Sequence, residues 1–277
     1  MNNKIIPNNF SITQVSQHGT SNPIIARLFL QMLDLFRLTK FPEEKQKEIQ
    51  KKLYALSHAL LKCYDIQQNF TEELSKEIEK IKPFDPITHT YHNPYMPNLE
   101  LLSENFLYHA KNYLRDLGLF LKFIYPSLKL PKTPFSTQGK ENIFDTFLYC
   151  ERPNLKSVFD EDRIWIAELI SKRNAVEHPD GHSGKLHIIN FQTTRENKII
   201  PPVWYREMKG EKVSPVIDIL QDMSVCLENL FTFSEDIIIH FCIENNFCMD
   251  GIVIYEIPRE KRDKKCPIKY RATLVSK

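Results

Sequence analysis

Residues 99–125 carry the most constraining pattern in this sequence, because their apolar side chains recur every three or four positions. That spacing places them on one face of an α-helix. The face consists of Leu102, Phe106, Ala110, Tyr113, Leu117, Phe120 and Ile124, flanked by Leu107, Leu114 and Leu121. An apolar face this wide packs against more than one neighbouring helix. The sequence therefore predicts a helical bundle built around this segment.

Weaker patterns on both sides extend this prediction. Apolar periodicity and helix start signals predict further helices at 24–38, 43–67, from 71 onward, 140–149, 160–178 and 215–244. Alternation predicts a strand at 186–191, and a turn at 193–197 allows 203–205 to pair with it. Two further short strands are expected at 252–257 and 268–274. The expected fold class is mainly α, an up-and-down helical bundle with an extra N-terminal helical region and short C-terminal β-hairpins.

A proline-rich stretch offers the clearest division of the chain. Four prolines fall between residues 83 and 97, a density that favours a linker or a rigid surface loop. The predicted domains are an N-terminal helical region at 1–98 that includes this linker, a helical bundle at 99–246, and a basic C-terminal β extension at 247–277.

The C-terminal extension carries most of the charge asymmetry. Residues 259–277 hold eight basic and two acidic side chains, whereas the whole chain has 37 basic and 35 acidic residues. Clustered cations can hold phosphates by releasing counterions, or they can belong to a solvated terminal extension. Arg262, Lys264 and Lys265 are accordingly candidates for substrate binding.

The residues that common cofactor and metal motifs need are scarce. The chain has seven glycines, in no arrangement that forms a Rossmann or P-loop phosphate site. Its six cysteines include no C-x-x-C pair, so we expect reduced thiols. No apolar run approaches the roughly 18 residues of a membrane span, and the first residues do not resemble a secretion signal. We therefore expect a soluble cytoplasmic protein without membrane contact or cofactor.

Residues 173–179, Arg-Asn-Ala-Val-Glu-His-Pro, hold the clearest chemical signal. They lie at the end of a predicted helix that Pro179 terminates. Arg173 offers a phosphate-binding guanidinium, and His178 offers the side-chain type that changes charge near neutral pH. Asn174 is four residues before His178, so it can hold the imidazole in one tautomer. These groups have the chemistry to cleave RNA through its own 2′-hydroxyl group without a metal.

The same residues also have a purely structural interpretation. Arg173 can pair with Glu177 four residues later, and His178 can stabilise the end of the helix through the helix dipole. On an ideal helix Arg173 and His178 point about 140° apart. They converge only if the arginine bends or the last turn distorts.

The spacing of Arg173, Asn174 and His178, written R-N-x-x-x-H, resembles the signature of HEPN-domain proteins. The long helices predicted before and after the motif helix are similar to the bundle of that family, and the resemblance covers roughly residues 99–246. It implies a metal-independent endoribonuclease whose site forms between two subunits, with a function as a toxin or in phage defence. It equally allows a member that has lost catalysis and acts as an RNA- or protein-binding scaffold.

The resemblance also implies a catalytic role for each residue of the motif. His178 would transfer the protons, Arg173 would bind the scissile phosphate and Asn174 would position the imidazole. Lys172 and His182, beside the motif, are further candidates for substrate binding. Some family members carry a tyrosine two residues after the histidine that a regulatory partner modifies, whereas Asp180 stands here. Because cleavage uses both a base and an acid, we expect a homodimer that brings two copies of the motif together.

Two metal-dependent interpretations remain as alternatives. His178, His182 and His187 could suggest zinc, although Pro179 and Gly181 interrupt the helical spacing that such a site needs. Asp180 followed by residues 196–198 weakly matches a metal-dependent nuclease pattern, which requires carboxylates on adjacent strands. We predict no metal site.

Overall fold

A computed structural model describes residues 17–81, 94–126, 135, 143–144, 153–194, 196, 198–244 and 251–275. Within these residues the chain is mainly helical with a few short antiparallel strands, as the sequence predicts. A π-helix at Ile24–Gln31 continues into α1 (Met32–Arg37), followed by α2 (Glu43–Glu79), α3 (Leu99–Ile124), α4 (Pro153–Glu177) and α5 (Ile219–Glu244).

One hydrophobic core joins these helices. Helix α2 packs against α3 and α5, and α4 packs against both α3 and α5. Leu60 of α2, Phe106 of α3 and Phe241 of α5 are all at most 1% exposed in the same cluster. The described part of the predicted N-terminal region therefore shares its core with the predicted bundle. Most of the proline-rich segment at 83–97, with the predicted boundary, lies outside the described residues.

Among the described residues, the strands form three small antiparallel sheets. The short elements are β1 (Lys185–Ile189), β2 (Gln192–Thr193), β3 (Ile199–Ile200), β4 (Val203–Met208), β5 (Glu211–Lys212), β6 (Ile217–Asp218), β7 (Ile252–Glu256) and β8 (Tyr270–Leu274). β4 pairs with β1, β5 and β6, while β2 pairs with β3 and β7 with β8. The presence of strands near 186–191, 203–205, 252–257 and 268–274 is thereby confirmed, with bounds that differ by up to three residues. β1 and β4 place Leu186 and Trp204 in the core beside α4.

Several predicted boundaries were wrong for identifiable reasons. Thr71, expected to begin a new helix, instead donates its hydroxyl to the carbonyl of Gln67 at 2.8 Å inside the continuous helix α2. The last helix begins at Ile219 and not at 215, because Ile217 and Asp218 pair with β4 and the Asp218 carboxylate accepts the Gln221 amide at 2.8 Å. The motif helix begins at Pro153, earlier than 160. The helix predicted at 140–149 lies largely outside the described residues.

The C-terminal hairpin contacts the bundle through Gln31, whose side chain is held by the buried carboxylate of Glu235. Glu235 of α5 has no exposed surface and accepts hydrogen bonds from Arg27 and, at 2.9 Å, from the amide of Gln31. The side-chain Oε1 atom of Gln31 accepts hydrogen bonds from the backbone amides of Lys269 and Tyr270 at 2.6 and 2.7 Å. The C-terminal β extension is consequently part of the folded body, in contact with the π-helix at the beginning of the chain.

Candidate functional site

The motif lies where α4 ends. The helix stops at Glu177, Pro179 follows in a turn, and the Gly181 amide donates to the His178 carbonyl at 2.8 Å. Gly184 then enters β1 with a φ of 74°, and a side chain there would collide with the Glu207 carbonyl. This tight turn leaves the His178 side chain 73% exposed.

Glu177 links the two charged residues of the motif. Its Oε2 atom pairs with the Arg173 guanidinium and lies 3.8 Å from Nε2 of His178. The structural interpretation of Arg173 is therefore confirmed, because the i,i+4 pair forms. The side chains of Arg173 and His178 do converge, because both lie near the same oxygen atom of Glu177 despite their angular separation on an ideal helix. The Arg173 guanidinium and the His178 imidazole are therefore close enough for one anion to contact both.

Asn174 does not hold the imidazole. Its side-chain oxygen accepts a hydrogen bond from the Lys111 ammonium at 2.7 Å, and only its backbone carbonyl contacts His178, through the backbone amide at 2.8 Å. The expectation of a shared face was wrong because His178 lies beyond the last helical residue, where helical spacing no longer sets side-chain direction. Lys111, from α3, thus joins the motif.

The electrostatics of this cluster favour an anion. Desolvation lowers the pKa of Arg173, and desolvation together with the nearby Arg173 charge lowers the pKa of Lys111. The Arg173 guanidinium also lies 5.9 Å from the centre of the Tyr108 ring, a contact that favours a cation. Arg173 and His178 thus lie at the Glu177 carboxylate, and the Lys111 ammonium lies at the neighbouring Asn174 side chain. We call Tyr108, Lys111, Arg173, Glu177 and His178 the motif cluster.

Lys172, predicted to bind substrate, has a different environment. It is 4% exposed and pairs with Asp222 of α5, whose Oδ2 atom also accepts the Trp204 indole N–H at 2.7 Å. A buried ammonium that is already paired is not available to a substrate anion, so the substrate-binding prediction for Lys172 was wrong. The sequence conceals this pair because its partners are about 50 and 30 residues further along the chain.

The other predicted substrate-binding residues are spread apart. His182 is exposed on the turn that follows α4. Arg262 is 19% exposed and donates to the Ile257 carbonyl and the Glu256 carboxylate, so it holds the C-terminal hairpin together. Lys264 and Lys265 are exposed on that hairpin, which contacts the π-helix. The structure does not bring these cations into the motif cluster.

The alternative metal sites gain no geometric support within the described ranges. No group of three or more metal-ligating side chains is found there, and His187 stacks on Tyr205 with ring centres 4.9 Å apart. Glu196 pairs with Lys198 at 3.0 Å in the loop between β2 and β3, outside any strand. The carboxylates of the nuclease pattern therefore do not lie on adjacent strands.

Sequence reasoning missed Tyr108 and Lys111. Both lie in the segment whose apolar pattern predicted α3, more than 60 residues before the motif. The signal that could have found Lys111 is a cation close to the apolar stripe of that helix, where a charge needs a polar partner.

No protein family, no curated protein and no solved structure matches this chain. Across the part of the chain that the structure describes, no helix combines the length and apolar character needed to cross a membrane.

Proposed function

We propose that the protein is an endoribonuclease that cleaves RNA at the motif cluster without a metal ion, as the resemblance to HEPN-domain proteins implies. The observation that carries this proposal is that Arg173 and His178 meet at one oxygen of Glu177. A carboxylate oxygen and a phosphate oxygen are both anionic acceptors. The Glu177 carboxylate therefore occupies the position that a non-bridging oxygen of the scissile phosphate would take.

The chemistry needs one base, one acid and a stabilised phosphate. A base takes the proton of the 2′-hydroxyl, the 2′-oxygen attacks phosphorus, and the bond from phosphorus to the 5′-oxygen breaks. An acid then protonates the leaving 5′-oxygen, which leaves a 2′,3′-cyclic phosphate and a 5′-hydroxyl group. His178 serves as base or acid, while Arg173 and Lys111 stabilise the charge that builds on the phosphate oxygens.

A homodimer would supply the second histidine, because a two-fold axis duplicates every residue of the site. Its interface is suggested by Leu101, Tyr108 and Leu119, which are 58%, 49% and 52% exposed on one side of α3. These side chains span about 27 Å of helix. Tyr108 also contacts Arg173, so a second copy that covered this side of α3 would meet the motif cluster.

The decisive test is RNA cleavage in the presence of EDTA, with analysis of the product ends. We expect cleavage to continue at the same rate and to leave 2′,3′-cyclic phosphate and 5′-hydroxyl ends. Activity that disappears with EDTA and returns with Mg²⁺ would contradict the proposal. Binding of RNA without any cleavage would instead favour the scaffold interpretation below.

Replacing Glu177 by glutamine should strengthen RNA binding. The substitution removes the negative charge that competes for Arg173 and repels the incoming phosphate. We expect the dissociation constant for a short RNA to fall about tenfold at low salt. Fluorescence anisotropy with a labelled RNA measures this change, and the exposed Glu211→Gln on β5 is the matched control. Unchanged or weaker binding by Glu177→Gln would show that this carboxylate does not mark a phosphate position.

A second candidate is a catalytically inactive RNA-binding scaffold. Two observations favour it: Arg173 is already paired with Glu177, and the anchored C-terminal hairpin presents exposed cations. These are Arg259, Lys261, Lys264, Lys265 and Arg271. In that case, removal of Lys264 and Lys265 would weaken RNA binding and lower its salt dependence, while substitutions in the motif cluster would have no effect.

A further inference from the structure

The C-terminal hairpin presents one of its two faces to solvent. β7 and β8 pair so that Val253 lies opposite Thr273 and Tyr255 lies opposite Arg271. Directly opposed residues point to the same side of an antiparallel pair, so these four side chains form one surface. All four residues are exposed, and Val253 and Tyr255 are each 43% exposed. We call this surface the outer face.

The opposite face of the hairpin holds it against the helices. Ile254, Tyr270 and Ala272 pack against the hydrophobic core, and the Gln31 side chain accepts the backbone amides of Lys269 and Tyr270. The outer face is therefore part of a docked element and is already formed in the folded protein. A preformed surface loses less conformational entropy when a partner binds.

Tyr255 gives the outer face an accessible flat ring with a cation beside it. Arg271 stands directly across from Tyr255, and the Cβ atoms of such a pair are about 4.5–5.5 Å apart. An exposed tyrosine ring stacks on a nucleobase, and a guanidinium binds a phosphate. Side by side, the two groups suit a base and its neighbouring phosphate in an unpaired strand.

The loop between β7 and β8 adds positive charge next to this ring. Residues 251–275 carry seven basic and three acidic side chains. Two of the three carboxylates are engaged within the hairpin: Glu256 accepts from Arg262 at 2.7 Å, and Asp263 accepts the backbone amide of Lys265 at 2.8 Å. The exposed cations of the loop are Arg259, Lys261, Lys264 and Lys265. This charge is complementary to a polyanion.

We propose that the outer face and the cationic loop bind single-stranded nucleic acid. A base stacks on Tyr255, Arg271 binds a neighbouring phosphate, and the cations of the loop hold the phosphates that follow. A single strand offers bases that are free to stack on an aromatic side chain, whereas a duplex keeps them stacked inside the helix. This binding is a separate property from cleavage at the motif cluster.

Binding of a labelled oligothymidylate of about ten nucleotides tests the proposal. DNA lacks the 2′-hydroxyl group that the proposed cleavage uses, so the result does not depend on the proposed function. We expect the anisotropy to saturate with a dissociation constant on the order of 10 μM at low salt. An abasic strand of the same length should bind at least about fivefold more weakly, because it has the phosphates without the bases. Equal affinity for the two strands, or no binding of either, would overturn the proposal.

A matched pair of tyrosine variants tests the stacking. Tyr255→Leu keeps an apolar side chain but removes the ring, and it should weaken the binding of oligothymidylate about tenfold. Its affinity for the abasic strand should not change. Tyr95→Leu makes the same substitution at a residue that is 64% exposed and lies shortly before α3. The control should bind like the original protein, and equal affinity of all three proteins would contradict the proposal.

The salt dependence of binding tests the role of Arg271. Arg271→Gln removes one phosphate contact, so the slope of log K against log salt should become shallower by about one. Arg37→Gln changes an arginine on α1 whose side chain is 61% exposed, and it should leave the slope unchanged. Equal slopes for Arg271→Gln and the original protein would exclude this arginine from the contact.

Ultraviolet cross-linking to the unaltered protein locates the site without any substitution. Mass spectrometry of the digested product should find oligothymidylate attached within residues 251–275. A link confined to other parts of the chain would overturn the proposal. A 2′-O-methyl oligouridylate, which also resists cleavage, identifies the preferred strand. Tighter binding of it indicates RNA, tighter binding of oligothymidylate indicates DNA, and either result supports the site.

Competition separates single strands from other anionic partners. A DNA duplex, polyglutamate and vesicles of phosphatidylcholine with phosphatidylserine are added at equal concentrations of negative charge. Each should displace labelled oligothymidylate less effectively than the unlabelled strand does. A competitor that is as effective as the strand would show that the hairpin recognises charge alone, and the proposal would fail.

Discussion

Replacing His178 by alanine is expected to reduce RNA cleavage by a factor of about 10² to 10⁴, the usual contribution of a positioned acid or base. His178 is 73% exposed directly after α4, so its removal should leave the fold intact. RNA binding should change little, because Arg173 and Lys111 provide the permanent charges. The rate is measured under single-turnover conditions, and binding is measured separately by anisotropy.

His182→Ala is the matched control for this experiment. His182 is another exposed histidine on the turn after α4, four residues from His178. We expect the control to cleave RNA at the original rate. Equal losses in the two variants would indicate that the turn as a whole matters, and an unaffected His178→Ala would exclude this histidine from the reaction.

The largest effect on stability is expected at Glu235. Replacing it by alanine should lower the free energy of unfolding by about 3–5 kcal/mol, since the change leaves the largely buried Arg27 without its partner. Arg27 has a side chain only 14% exposed, and Glu235 has none of its surface exposed. Gln31 would lose a hydrogen bond in the same place. Urea denaturation followed by circular dichroism measures the loss.

Two comparisons make the stability experiment specific. Glu72→Ala changes an exposed glutamate on α2, which is not among the charges that act on Arg27, and should cost less than about 0.5 kcal/mol. The double variant Arg27→Met with Glu235→Leu should recover much of the stability, because it removes both charges together. A loss below about 1 kcal/mol for Glu235→Ala would mean that the pair contributes no more than a surface salt bridge.

Patterns that repeat along the chain were enough to predict the mainly helical fold. The apolar stripe of α3 predicted its bounds to within one residue, because a fully periodic segment has few competing structures. The two C-terminal strands β7 and β8 were also predicted, to within two residues of their bounds. The break expected at Thr71 was wrong because threonine can also bond back to a carbonyl one turn earlier inside a helix, and the sequence does not distinguish these two uses.

Only those residues of the candidate site that belong to the motif segment itself could be predicted from the sequence. Arg173 and His178 were identified from their spacing, and the structure shows that Glu177 joins them. Lys111 could not be predicted as the partner of Asn174, because tertiary packing alone brings α3 against α4. The role of Lys172 was predicted wrongly for the same reason. Its position beside the motif suggested a substrate contact, whereas tertiary packing pairs it with Asp222 in the interior.

The docking of the C-terminal hairpin bears on the order in which the protein assembles. The Thr20 hydroxyl donates to the Lys265 carbonyl at 2.9 Å across 245 positions of sequence. Closing so long a loop early would cost more chain entropy than joining neighbouring helices. We therefore expect the helices around α3 to assemble first and the hairpin to settle onto them afterwards. Before the hairpin docks, water would still hydrate the Glu235 carboxylate. The carboxylate would lose this water only when the hairpin packs against the helices.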